Sequence, residues 1–560
     1  MSRVSYADGG DLLAQFLRRN GVEVAFGVIS VHNIPLVEAV ASRLRFVPVR
    51  HEAAAVNAAD GYARASGGLG CAITSTGTGA GNASGSMIEA LTAGTPLLHV
   101  TSNIPTEFLD AGGGFIHEFP AQPKMLEAVS SWSARISDCD LAPVVLAGAI
   151  GRALGEAPGP VSVEWPIDLQ YASGSYEVDD SLGYTRNADS AVELDVEATE
   201  QAAKLLASSR RPVLWLGGGA RRAVPQVLAF AEMIGAAVLS SNSGRGVLPE
   251  DHELCIGNYG TSSAGRRILE EADLIVSIGT HFRSNETATY KMPLPALHIQ
   301  IDIQSDAIGR TYPVTVGIVG DASRCLDALI SAVDTSNRDE SWRARVLAAR
   351  RQARTEQRSA SGPHGAICDA IRSALPRESV IARDVTIASS SWGNRLLEIY
   401  DPRSNIFARG GGIGQGLAMG IGASLARPDV PTLVIVGDGG LAVHLGELLT
   451  AVQEHSNLTV VVFNDGGYGV LRNAQLARGQ SPCAVDLQTP DFNLLAQSLP
   501  MPYWQVRDES DAAGIIAEAV DSPGPAMVEI DLTSIGPMKV AFTPPVEVPA
   551  EASRRSDELL

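Results

Sequence analysis

Residues 431–469, PTLVIVGDGGLAVHLGELLTAVQEHSNLTVVVFNDGGYG, constrain the fold of this chain more than any other stretch. A β-branched run, Leu433 to Val436, ends at Gly437-Asp438-Gly439-Gly440. Apolar residues at helical spacing follow at Leu445, Leu448, Leu449 and Val452. A second β-branched run, Leu458 to Phe463, ends at Asn464-Asp465-Gly466-Gly467. A strand–helix–strand unit of this length closes as a right-handed crossover between parallel strands. Such strands bring their carboxyl ends to one sheet edge, where open α/β sheets bind ligands, so Asp438 and Asp465 emerge there side by side. Gly439 and Gly440 leave bare backbone N–H groups at a helix N-terminus, a seat for phosphate. Carboxylate oxygens beside that seat imply a hard divalent cation, because Mg²⁺ takes one or two carboxylates plus phosphate oxygens and water.

The alternation of strands and helices continues along the chain, so the expected class is α/β with three doubly wound parallel-sheet domains. The first spans 1–175, with helical stretches Asp11–Asn20 and Ala53–Ala65 and strands Gly70–Thr74 and Pro96–Thr101. A polar segment, 172–190, reads as a linker. The second domain, 193–336, opens on a helix over Ala198–Ser208 and the strand PVLWLGGGA, and later holds DLIVSIG and ALHIQIDI. Residues 338–359, rich in Arg, Glu and Ala, form a solvated connecting helix. The third domain, 362–535, carries the opening unit, and 536–560 is a Pro- and acid-rich tail, either a lid or disordered.

A net charge of −20 excludes nucleic acid and anionic membranes as partners, so any anionic cofactor must be held by local features such as a metal ion and helix N-termini. The six cysteines are scattered without a CxxC pair, which argues against both a disulfide framework and a zinc site. No run of 18 apolar residues occurs and the N-terminus has no signal-peptide core, so a soluble cytoplasmic protein is expected.

Three other segments bear on chemistry. Arg50-His51-Glu52 precedes the amphipathic stretch AAAVNAADGYARASG, where a glutamate opening a helix would ordinarily only favour the dipole. Residues 408–416, ARGGGIGQG, precede a helix of small residues, Leu417–Leu425; taken alone they are a close-packed glycine loop. Arg383-Asp384-Val385-Thr386 ends the strand SVIARD.

Together with these segments, the spacing from Gly437-Asp438-Gly439 to Asn464-Asp465 resembles the signature of thiamine diphosphate-dependent enzymes. The resemblance covers nearly the whole chain and implies pyrimidine-binding, central and diphosphate-binding domains in that order. It implies Mg²⁺ held by Asp438, Asp465 and the Gly467 carbonyl. Asp465 is a departure, since Asn is commoner there; it keeps an oxygen ligand and adds a charge. Glu52 is implied as the acid that shares a proton with N1′ of the aminopyrimidine and so activates the cofactor. Ile413 matches the apolar residue that holds the cofactor bent. Asp384, Thr386, Gly411, Gly437, Gly439, Gly440 and Tyr468 complete the implied cofactor-binding set. FAD in the central domain, as in some synthases, is not favoured.

Within the family, ITSTGTGAGN, SGRGVLPEDH…EADLIVSIGTHF and YGVLR point to the acetolactate synthase and 2-oxo acid decarboxylase branch. Benzoylformate decarboxylases have histidine where this chain has Ser75 and serine where it has Val31, so aromatic substrates are disfavoured. The Val31-His32 pair and Ile116-His117-Glu118 resemble decarboxylases of long basic 2-oxo acids such as 5-guanidino-2-oxopentanoate, which makes His32 and His117 catalytic candidates. His32, His117 and Glu118 read equally as ordinary polar groups of loops. The expected activity is decarboxylation of a small-molecule 2-oxo acid, with the enamine intermediate either protonated to an aldehyde or captured by a second carbonyl compound. Acetolactate synthase-like carboligation and 2-hydroxyacyl-CoA lysis are the alternatives, although no basic cluster for CoA phosphates is visible. A non-catalytic scaffold would not need Glu52, Asp438 and Asp465 together. A nicotinamide dehydrogenase would need GxGxxG after a strand with an acid about 20 residues on, and no strand followed by an acid at that distance supports this reading of GGGIGQG. The family also implies a homodimer or homotetramer with cofactor sites at the subunit interface.

Overall fold

The computed structural model describes residues 2–178, 194–333 and 339–544. Three sheets of six parallel strands organise them. The first runs in spatial order Arg45–Pro48, Val24–Gly27, Gly70–Thr74, Leu97–Asn103, Pro160–Pro166, Trp132–Arg135. The third runs Asn405–Phe407, Val380–Arg383, Thr432–Gly437, Leu458–Asn464, Ala526–Asp531, Tyr503–Val506. Counted within each sheet, both orders are 2-1-3-4-6-5. The central sheet is different: its strands, from Pro212–Leu216 to Val316–Val319, take the order 3-2-1-4-5-6 of dinucleotide-binding folds.

Burial on both faces explains the β-branched runs. In Thr432–Gly437, Leu433 and Ile435 enter one apolar cluster while Val434 and Val436 enter another across the sheet. Successive side chains point to opposite faces, and here both faces are covered, so the strand has no polar alternation.

The first and third domains meet along the helices Glu52–Ser66 and Gly416–Ala426. Both are made of small residues. A Cβ on Gly61 would collide with the Met419 carbonyl, and one on Gly422 with the Ala58 carbonyl, so glycine sets this backbone-to-backbone approach. Every residue from Ala53 to Ala65 is buried, and Asp60 and Arg64 form an ion pair inside.

Four expectations change. Residues 174–178, read as linker, form a strand antiparallel to Ser2–Tyr6; residues 179–190 of that segment lie outside the described residues. The connecting helix, Trp342–Ser361, is docked along one face, with Trp342, Val346 and Ala353 buried against the central domain. The single helix expected after Gly437-Asp438-Gly439-Gly440 is two, Asp438–Val443 and Glu447–Gln453. Part of the tail is anchored: Val540 N–H donates to Ala360 and Asn473 to the Phe542 carbonyl, while 545–560 lie outside the described residues. Among the described residues, no helix is long and apolar enough to cross a membrane.

Candidate active site

In the third sheet the strand order reverses between Val380–Arg383 and Thr432–Gly437, and a crevice opens at their carboxyl ends. Asp384 and Asp438 follow those two strands directly. Gly437 pairs in register with Phe463, which brings Asp465 alongside.

Asp438 begins the helix Asp438–Val443 and is 2% exposed. Its Oδ2 is buried without a hydrogen-bond partner in the protein. Burial, and secondarily the neighbouring Asp465, push its carboxyl up to about 6. Burial also raises Asp465, against the opposing pull of Arg472, whose guanidinium stands 3.6 Å away. Gly469 lies behind Asp465, and any Cβ there would strike the carboxylate. Two adjoining carboxylates, one with an orphaned oxygen, form a donor set that a hard cation satisfies. Gly439 and Gly440 occupy the first turn of the same helix, with the Tyr468 ring lying against Gly439. Gly467, at φ +153°, faces Asp486 across an isolated bridge. The residues present fit a metal and a diphosphate.

The glycine loop beside this crevice is held by Asp384. Its carboxylate accepts from Val385 N–H at 2.6 Å, Gly414 N–H at 3.1 Å and Gly416 N–H at 3.2 Å. Burial pushes Asp384 up to about 6 in spite of these donors. With its oxygens so engaged, Asp384 acts on the site by shaping the loop. Ile413 is 40% exposed at the crest, flanked by Gly411 and Gly414, both at φ +83°. Thr386 is buried with its hydroxyl beside Gly437.

The N-terminal half is built from loops that follow four strands of the first sheet: His32 after Val24–Gly27, Glu52 after Arg45–Pro48, Gly77 and Gly79 after Gly70–Thr74, and His117 after Leu97–Asn103. Glu52 opens its helix, and His51 caps it by accepting from Ala53 N–H. Glu52 Oε2 accepts from Asn82 Nδ2 at 3.0 Å, and Gly79 lies against Oε1. His117, at φ +69°, rests its carbonyl on the Gly77 turn. His32 and His117 meet directly, Nε2 to Nδ1 at 3.0 Å. His32 is buried, and burial followed by His117 holds its imidazole below the ordinary range. Glu118 accepts from the N–H groups of Gly112, Gly114 and Phe115, so it shapes the loop that presents His117.

Two contacts were not visible in the sequence. His444 Nδ1 donates to the Gly414 carbonyl, 2.7 Å away, and its ring lies 5.6 Å from that of His51. Asn82 lies in the GTGAGN stretch, but nothing in its spacing singles it out as the partner of Glu52. The structure also assembles a basic cluster that the sequence conceals: Arg64, Arg221, Arg222, Arg283, Arg403 and Arg409 line a cavity of about 490 Å³ at the edge of the central sheet.

Comparison with known proteins was made against this geometry. Residues 7–125 match the model for the N-terminal TPP binding domain of thiamine pyrophosphate enzymes, 199–329 the central domain and 387–530 the C-terminal TPP binding domain. The chain is 32% identical over 528 residues to the probable 2-ketoarginine decarboxylase AruI of Pseudomonas aeruginosa, covering 93% of each. It is 28% identical to a probable acetolactate synthase large subunit of Methanocaldococcus jannaschii, over 93% of this chain and 91% of that protein. It is 26% identical to the acetolactate synthase isozyme 1 large subunit of Escherichia coli, over 93% of each.

Proposed function

The chain belongs to the thiamine pyrophosphate (thiamine diphosphate) enzyme family, on the branch of the 2-oxo acid decarboxylases and acetolactate synthases, and from that premise we propose that it decarboxylates a 2-oxo acid with a long basic side chain. The observation that carries the site assignment is the buried, unpartnered Asp438 oxygen beside Asp465 at the strand-order reversal. Asp438, Asp465 and the Gly467 carbonyl hold Mg²⁺ in this reading. The Gly439 and Gly440 N–H groups and the Thr386 hydroxyl receive the diphosphate. When bound, thiamine diphosphate supplies a nucleophilic carbon and a sink for the electrons released with CO₂. Glu52 moves a proton to and from the pyrimidine N1′, with Asn82 fixing its carboxylate. Ile413 supports the bent cofactor, and His117, backed by His32, exchanges a proton on the substrate side.

The basic substrate is supported by the likeness to a protein named for 2-ketoarginine. Carboligation is the second reading, supported by the acetolactate synthases among the relatives. We further propose a homodimer, within a homotetramer, that shares each cofactor between Glu52 of one chain and Asp438 of another. Apolar side chains exposed around both halves of the site, Ile29, Val31 and Ile116 on one and Ile413, Val443 and Leu471 on the other, support an interface there. Six cysteines without a disulfide among them support a cytoplasmic location.

The test is CO₂ release by purified protein supplied with thiamine diphosphate, Mg²⁺ and a panel of 2-oxo acids. Fastest release is expected from 5-guanidino-2-oxopentanoate, with the aldehyde as product. Preferred turnover of pyruvate to acetolactate would replace decarboxylation by carboligation. No release from any 2-oxo acid would end the reading.

A further inference from the structure

The glycine loop that presents Ile413 is gripped at its far end by a residue of another domain. Glu89, on the helix Thr78–Ala93, is 2% exposed. Its Oε1 accepts from Arg409 N–H at 2.6 Å and its Oε2 from Gly410 N–H at 2.5 Å. A Cβ on Gly410 would approach Glu89 Oε2 to 2.7 Å. Arg64 stands 3.1 Å from Oε1 and also donates to the Phe407 carbonyl at 2.7 Å. Neutralising Arg64 would not require this arrangement, because Asp60 already pairs with it through two hydrogen bonds. Both Glu89 oxygens face consecutive backbone donors of the loop, a geometry that fixes position as well as charge. Downstream, Asp384 holds Gly414 and Gly416, which leaves residues 411–413 as the span between two carboxylate clamps.

The same helix also reaches Glu52. Asn82, which bonds the Glu52 carboxylate, is seven residues before Glu89, on the same face about 10 Å away along the axis. We propose that Glu89 is a positioning residue of the cofactor site: through the Arg409 and Gly410 N–H groups it sets where Ile413 stands, and its helix ties that loop to the same chain's Glu52 segment, which serves the other cofactor of the shared-site dimer. This rests on the reading of Ile413 as a cofactor contact.

The experiment compares wild type, Glu89→Gln, Gly410→Ala and Ile413→Ala as full-length chains. Calorimetry gives thiamine diphosphate affinity at fixed Mg²⁺, and amide hydrogen exchange is read over 407–416 without cofactor. Glu89→Gln turns an amide N–H₂ towards one of two N–H donors. Gly410→Ala leaves the Arg64, Asp60 and Glu89 side chains intact and perturbs only their grip on the loop. Both should weaken affinity about tenfold, as loss of a supporting hydrogen bond around a bound group does, and both should speed exchange at Arg409 and Gly410. Unchanged affinity in both variants, with Ile413→Ala weakened, would overturn the positioning role alone. Unchanged affinity in Ile413→Ala would remove the cofactor contact and the proposal with it. Weaker affinity with no change of protection over 407–416 would also overturn it, because the loop would then not be the route.

Discussion

Asp438 and Asp465 were legible because their chemistry is local: a strand, a turn glycine and an acid, twice, at βαβ spacing. What Asp384 does was not legible, since its partners Gly414 and Gly416 lie about 30 residues away and are bound through backbone N–H groups that carry no side-chain signal. For Asp438→Ala, calorimetry should find thiamine diphosphate binding with Mg²⁺ at least about 100-fold weaker, because an inner carboxylate is gone; unchanged affinity would remove the metal assignment. Asp465→Asn keeps an oxygen ligand and should retain activity within a few fold. The raised Asp438 sets a pH dependence. Above about 6 its carboxylate is ionised and ready to ligate; below that, a proton must leave first, so Mg²⁺ affinity measured by titration should fall up to about tenfold per pH unit. For the cofactor-free protein the sign reverses. A carboxyl raised from 3.8 to about 6 binds more protons folded than unfolded, so its contribution to stability increases as pH falls through that window. Glu52 and His117 separate by a different readout. Glu52→Gln should bind cofactor nearly normally while exchange of the cofactor's C2 proton slows by about two to four orders of magnitude, and His117→Ala should leave that exchange intact and alter turnover or product partition. Normal exchange in the Glu52 variant would exclude it as the activating acid.

At the scale of elements, strands were easier to read than pairings between helices. Gly70–Thr74 and the strand ending at Gly437 announce themselves by short apolar runs bounded by glycine. The helices Glu52–Ser66 and Gly416–Ala426 are each recognisable as small-residue helices, but periodicity within one segment says nothing about which distant segment it meets. The strand Gly174–Val178 escaped because a short polar edge pair has no apolar run to betray it. Collision geometry makes the helix contact testable. In Gly422→Ala the new methyl group would overlap the Ala58 carbonyl, and two backbones must separate to admit it. Overpacking typically costs about 1–3 kcal/mol, and a rigid carbonyl puts this site at the upper end. A lowered thermal midpoint with weaker cofactor binding is expected; a midpoint equal to wild type would mean the two helices are not locked as described.

Across the whole molecule, three parallel sheets were legible from strand–helix alternation, but their strand orders were not, because order depends on where each crossover lands. Those orders matter for function: the first and third sheets share 2-1-3-4-6-5, and the residues of the N-terminal and diphosphate halves of the candidate site follow strands of those two sheets. The arginine-lined cavity shows the opposite limit. Its residues run from Arg64 to Arg409 in a chain of net charge −20, so composition hides a cluster that folding creates. Within one chain, Arg50 and His51 beside Glu52 contact Glu447, Thr450 and Gln453 of the helix Glu447–Gln453 and His444 at the C-terminal end of the Asp438–Val443 helix, whereas Asp438 begins that helix. Those contacts accord with the proposal that each site is completed by a second copy. Mixing the two inactive homo-oligomers, Glu52→Gln and Asp438→Ala, tests this. If sites are shared between chains, hybrids contain some sites with both native residues, and activity should return, up to about half the wild-type level per hybrid dimer. If each chain builds its own site, every site keeps one lesion however the chains are mixed. Labelled subunits would establish that exchange has occurred, and exchange without recovered activity would place Glu52 and Asp438 of the same chain at one cofactor.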